Sequence, residues 1–171
     1  MDQPPLYEED IVTWAEQQAS ALRSLAARPD LSNALDWDAV AEEIEEVGAS
    51  RIRATASALL LVLVHVLKYV SAPTAQSTRS WRAEVITFQT AARGLYTRST
   101  RQRIDWDDLW RSAKRNADAS LHIHGDSLIE GLPEQMPFTP EELVAPDFDM
   151  DAALSRLGPL LAPTGGRRRP T

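Results

Sequence analysis

The sequence predicts an all-α fold, a single-domain helical bundle of about five main helices with short C-terminal helices. Three observations carry this expectation. Apolar residues recur at steps of three and four through most of the 171 residues. No alternating apolar and polar run is long enough to found a sheet. The breaks between periodic stretches fall where proline, glycine or serine gather. A chain with 43% hydrophobic residues can bury one substantial core, so the bundle is expected over residues 1–150, with a short helix and a flexible tail over 151–171.

The first helix is expected from about Glu8 to Ala26, with Ile11, Trp14, Ala15, Gln18, Leu22 and Leu25 along one side. The segment "RPDLSN" breaks it. A second helix starts with Asp36 as N-cap, carries acids in its first turn and stops at Gly48, the residue type that most often takes the left-handed position after a helix end. Ser50 then caps a third helix that runs through Lys68 and Tyr69 and must finish before Pro73. The fourth helix starts near Ser80 and spaces Trp81, Val85, Phe88, Ala92 and Leu95 at steps of four, three, four and three. After the hinge "YTRSTRQRI", Asp105 caps a fifth helix whose buried side is Trp106, Leu109, Trp110, Ala113, Ala117 and Leu121. Thr139, Pro140 and Glu142 make a capping box with proline at the first helical position, which starts a short helix limited by Pro146.

Composition then removes whole classes of chemistry. There is no cysteine, which excludes disulfides, thiolate zinc sites, iron–sulfur ligation and a cysteine nucleophile. The start "MDQPPLYEED" has neither the basic nor the apolar segment of a secretion signal, so a cytoplasmic location is expected. The run Leu59 to Val70 is shorter than a bilayer requires, with Arg51 and Arg53 before it and Lys68 within it, and reads as a buried core helix with no membrane role. The formal charge of −7 is segregated: residues 1–67 carry −8, 68–116 carry +6 and 117–171 carry −5. The basic middle is expected to pack beside acidic helices. The alternative is a cationic face that binds nucleic acid, against which the acidic flanks would repel phosphate.

The candidate site follows from one histidine in an apolar helix. On a helical wheel Glu42 and Glu46 point away from the side formed by Trp37, Val40, Ala41, Ile44 and Val47, whereas Glu43 lies on its boundary. A buried imidazole left unpaired costs about 1–3 kcal/mol, so His65 needs a partner, and Glu43 on the preceding helix is the first candidate. Lys68, Arg79 and Arg82 would neutralise the surrounding acids. The cluster Glu43, His65, Lys68 and Arg79 admits a structural network that fixes helix register, or a His–Glu acid/base pair beside a basic pocket for an anionic substrate. It also admits a divalent metal on Glu43, Glu46 and His65, although the Glu-x-x-His spacing of di-iron bundles is absent and no cofactor is expected.

His122 and His124 diverge by about 200° on a helix and are expected at a surface or a helix end. The five tryptophans fall on apolar faces. Trp110 stands beside Arg111, Lys114 and Arg115, the residue types that contact a partner protein or stack on bases, and these four are the candidate contact residues. No nucleophile elbow or phosphate loop occurs, and the favoured function is a non-catalytic interaction module with an unknown protein partner, homo-oligomerisation being left open.

The ordered blocks "LYEEDIVTWAEQQASALR", "LDWDAVAEEIEEVG", "LLLVLVHVLKY", "RSWRAEVI" and "LPEQMPFTPEELVAPDF" resemble the bacterial family known as domain of unknown function number twenty-nine. The likeness spans most of Leu6 to Phe148. It implies a small helical bundle of prokaryotic origin and supplies no activity.

Overall fold

The structure, a computed structural model, describes residues 5–28, 30 and 35–161. Among the described residues there are eight helices and no strand: α1 (Leu6–Glu9), α2 (Ile11–Ala26), α3 (Trp37–Ser71), α4 (Thr78–Leu95), α5 (Arg98–Arg103), α6 (Trp106–His122), α7 (Pro140–Val144) and α8 (Met150–Leu161). The protein is all-α. The tail expected after α8, with its three arginines, lies outside the described residues, as does part of "RPDLSN". The chain divides into two compact units, residues 1–57 with 94–104, and residues 58–93 with 105–171.

In the first unit the expected first helix is two helices. Asp10 interrupts it because its carboxylate accepts from the Thr13 backbone N–H at 3.3 Å and so caps α2. The face that α2 buries is Val12, Ala15 and Ala19, while Leu25 is exposed. Small residues line that face because α3 comes very close there: a Cβ placed on Gly48 would lie 3.4 Å from the Ala15 Cβ and 3.5 Å from the Val12 Cα.

This corrects the expected stop at Gly48. The predicted second and third helices are one helix of 35 residues, α3, and both Gly48 and the presumed cap Ser50 lie inside it. A glycine within a helix costs about 1 kcal/mol relative to alanine, less than is needed to break one supported by packing on both sides of it. The start of α3 is as expected, with the Ala39 N–H donating to Asp36 Oδ1 at 3.1 Å, and its end precedes Pro73. Since an alanine methyl at position 48 would make ordinary contacts, Gly48→Ala is expected to raise stability in urea denaturation by up to about 1 kcal/mol. Gly48→Leu should lower it by about 1–3 kcal/mol by forcing α2 and α3 apart.

The segment expected as a hinge contains α5, capped by a reciprocal box between Thr97 and Thr100. It brings buried Ser99 to Asp10: Ser99 Oγ donates to Asp10 Oδ2 at 2.5 Å, and Thr13 Oγ1 donates to the same oxygen at 3.2 Å. Burial pushes the Asp10 carboxyl up, but the hydrogen bonds from Ser99 and Thr13 outweigh it and hold the group below its ordinary value. Asp10 therefore binds a proton more weakly folded than unfolded. The stability it contributes is complete above the ordinary carboxylate value of about 4 and is lost as the pH falls from there through the lower folded value. Asp10→Asn is expected to cost about 1–2 kcal/mol at neutral pH and to flatten part of the acid limb of a stability–pH curve.

The second unit takes in α3 from Ala58 onward, α4 as far as Arg93, α6, α7 and α8. Its core includes Leu59, Val62, Leu63, Val66 and Leu67 of α3, all 2% exposed or less. By length and composition α3 is the one described helix apolar enough to cross a membrane, and half of its most apolar stretch is buried inside the protein. Trp81, Val85, Gln89 and Ala92 are the buried face of α4, and Leu109, Trp110, Ala113, Ala117 and Leu121 that of α6. Asp105 caps α6 and the Thr139–Glu142 box caps α7, both as the sequence predicts.

The segment between α6 and α7 is pinned to the helices by its own backbone. The Leu128 N–H donates to Asp118 Oδ1 at 3.1 Å, the Ile129 N–H to Ser71 Oγ at 3.1 Å, and the Pro133 carbonyl accepts from Trp110 Nε1 at 2.8 Å. Gly125, at φ +82°, provides the reversal that returns the Asp126 N–H to the Leu121 carbonyl.

Candidate functional site

His65 sits in the apolar half of α3 and is 8% exposed. Both ring nitrogens are engaged. Nδ1 lies 2.7 Å from the Leu61 carbonyl oxygen, which can only accept, so Nδ1 carries a proton and donates it one turn back along the helix. Nε2 lies 2.5 Å from Glu84 Oε2 on α4. The ring packs at a tilt of 31° against Phe88, with centroids 5.6 Å apart.

Glu84 is held in turn. Ser80, one turn earlier, donates to its Oε1 at 3.1 Å, and the Lys68 ammonium contributes a nearby positive charge. Lys68 lies over the Trp81 ring at 4.8 Å, and its partial burial pushes the ammonium below the ordinary lysine value, with the Glu84 charge opposing that shift. One residue further along each helix, Arg82 stacks on the Tyr69 ring at 4.6 Å, donates to the Tyr69 hydroxyl at 3.1 Å and pairs with Asp151 at 2.5 Å. The antiparallel run of α4 along α3 generates this ladder, setting Glu84 against His65, Trp81 against Lys68 and Arg82 against Tyr69.

The partner of the imidazole is therefore not the one the sequence predicts. Glu43 and His65 lie on one continuous helix, about six turns apart, and two positions on one axis cannot face each other. Glu43 is exposed and borders a groove of about 460 Å³ in the first unit with Glu46, Ser50 and Arg51, and His65 has no part in it. Glu46 pairs with Arg53. The expected cluster of Glu43, His65, Lys68 and Arg79 thus keeps His65 and Lys68 together and loses Glu43, while Arg79 is exposed in the first turn of α4. The trio Glu43, Glu46 and His65 is not brought together, and among the described residues no three His, Asp or Glu side chains group as a metal site would require.

Glu84 was open to detection in the sequence. On the wheel of α4 it falls to one side of both Trp81 and Phe88, about 60° from the first and 40° from the second, so it flanks the apolar stripe. Ser80 at i−4 is a further sign of an acid held in place.

The contact candidates on α6 also divide. Trp110 is fully buried, meets Phe138 edge to face at 6.4 Å, and cannot stack on a base while the protein is folded. Lys114 donates to the Pro133 carbonyl at 3.0 Å and lies 5.6 Å from the Trp110 ring. Arg111 and Arg115 are exposed and bond along their own helix, to Asp108 at 3.2 Å and to the Ser112 hydroxyl at 2.9 Å. His122 ends α6, where its ring nitrogen contacts Asp118, and His124 is exposed.

No curated protein matches the chain. A crystal structure at 1.45 Å resolution of an α-helical protein of unknown function from Rhodospirillum rubrum is similar at 36% identity, with a TM-score of 0.83, covering 92% of this chain and all of that one. The family model described as "Domain of unknown function DUF29" matches residues 6–149. Helices α1 to α7, with the His65–Glu84 contact among them, fall within that stretch, and the chain belongs to the DUF29 family.

Proposed function

We propose that the protein is a cytoplasmic, non-catalytic interaction module in which the His65–Glu84 centre serves the fold. The supporting observation is the occupancy of the imidazole. A general base or a metal ligand needs a free nitrogen facing a space that a substrate or ion can enter. His65 has one nitrogen bonded to its own helix and the other to Glu84, in a position only 8% exposed. Lys68 and Arg82 are likewise committed, one to Trp81 and the other to Tyr69 and Asp151. An anionic substrate would have to displace contacts that hold α3 to α4.

The test is complementation of a deletion strain with Glu84→Gln. The glutamine amide can donate to a neutral Nε2, so the contact survives at a cost of about 1 kcal/mol while the carboxylate needed for acid/base or metal chemistry is gone. Fitness equal to the parent across a panel of growth conditions is the expected result. A variant that folds as the parent does, yet behaves as the deletion, contradicts the reading.

A further inference from the structure

We propose that the groove between α7 and α8 docks a protein segment that presents one apolar side chain flanked by arginine or lysine. The proposal rests on the reading of the chain as an interaction module and supplies the surface and the chemistry of its partner.

The groove has an apolar floor and an acidic rim. Phe138, Phe148 and Ala153 contribute to the floor, with Phe138 and Ala153 each 6% exposed, and Glu142, Asp147, Asp149 and Arg156 carry the charges around it. Arg156 pairs with Glu142, which cancels one acid against the only base of the lining. Asp149 holds the first turn of α8 by accepting from the Asp151 N–H at 2.9 Å and takes part in no described ion pair. Asp147 is exposed and takes part in no described ion pair. The rim is left with two uncompensated negative charges, which favour a cationic partner and disfavour an acidic one.

Size decides the kind of ligand. The cavity is about 200 Å³, below the roughly 300–1,000 Å³ of sites that enclose a small-molecule ligand. It fits a single large side chain, and the open rim leaves the flanking residues of a peptide lying across the acids. An apolar centre inside a charged rim is the usual division of a protein–protein contact.

The walls are set before anything binds. The Thr139–Glu142 box fixes the start of α7, and Gln89 Nε2 of α4 donates to the Ala145 carbonyl at 2.7 Å. Arg82 anchors Asp151 on α8 from the other side. A groove held in this way spends little binding free energy on ordering its own residues.

Selection of a random dodecapeptide phage library on the full-length chain tests the proposal. Enriched peptides are expected to combine an aromatic or large aliphatic residue with neighbouring arginine or lysine. Two variants of exposed residues then locate the contact, Asp147→Lys on the rim and Ala152→Trp across the groove mouth. Each should weaken the best synthetic peptide on the order of tenfold or more, as loss of a central contact does. Failure to enrich any peptide, enrichment of acidic sequences, or binding that both variants leave unchanged overturns the groove. None of those results bears on complementation by Glu84→Gln, so failure here is distinct from failure of the non-catalytic reading.

Discussion

Trp110→Ala is expected to lower the stability of the protein by about 3–5 kcal/mol, the range for truncating a fully buried tryptophan. The indole is 0% exposed and stands edge to face with Phe138. Its Nε1 also donates to the Pro133 carbonyl, in the segment that connects α6 to α7. Truncation would empty the volume, remove the ring contact and free one anchor of that segment, and these losses act on the same few residues, so they should not separate into independent terms. Trp110→Phe should cost about 1–3 kcal/mol, because the ring volume is largely kept and Lys114 still donates to the Pro133 carbonyl. By contrast, reversing exposed Arg111 or Arg115 should change stability by no more than about 0.5 kcal/mol, since each bonds only within its own helix. Equilibrium urea denaturation of the four variants measures this ordering. A Trp110→Ala protein as stable as the parent would place the tryptophan outside the core.

His65→Ala is expected to cost about 2–4 kcal/mol. The substitution removes a buried ring packed on Phe88 and leaves Glu84 without its closest partner. The Leu61 carbonyl loses little, because the α3 backbone still supplies a donor. Replacing the ring by phenylalanine should recover the packing and not the pairing, so His65→Phe is expected between the alanine variant and the parent.

Helix ends and buried faces were legible in the sequence wherever a single local cause fixes them. Asp36, Asp105 and the Thr139–Glu142 box each cap the helix they were expected to cap, because a side-chain oxygen reaching a free N–H is settled within three residues. The faces of α4 and α6 were legible because their stripes are long and strongly periodic. Gly48 was not. The residue type that ends helices also permits close approach of two backbones, and the choice between the two depends on Val12 and Ala15, more than thirty residues away.

That one misread glycine also accounts for the misassigned partner of His65. A stop at Gly48 folds Glu43 back toward His65, whereas a continuous α3 carries the two apart along one axis and leaves the imidazole to the next helix in the chain. That the histidine would be buried and need an acid followed from its surroundings, since a polar ring in a core costs too much unpaired. Which acid meets it is a property of the α3–α4 hairpin. Of the candidate contact residues on α6, Trp110 lies in the core because it falls on the stripe of Ala113, Ala117 and Leu121, about 100° from Arg111 and 140° from Arg115 around the helix, and those two arginines are exposed.

The central claim is that the polar centre of the second unit is the pair His65 and Glu84, and a double-mutant cycle between them tests it most directly. With alanine at each position and in both together, the coupling is expected at about 1 kcal/mol, while the same cycle between His65 and Glu43 should return zero within error. Coupling to Glu43 with none to Glu84 would contradict the account.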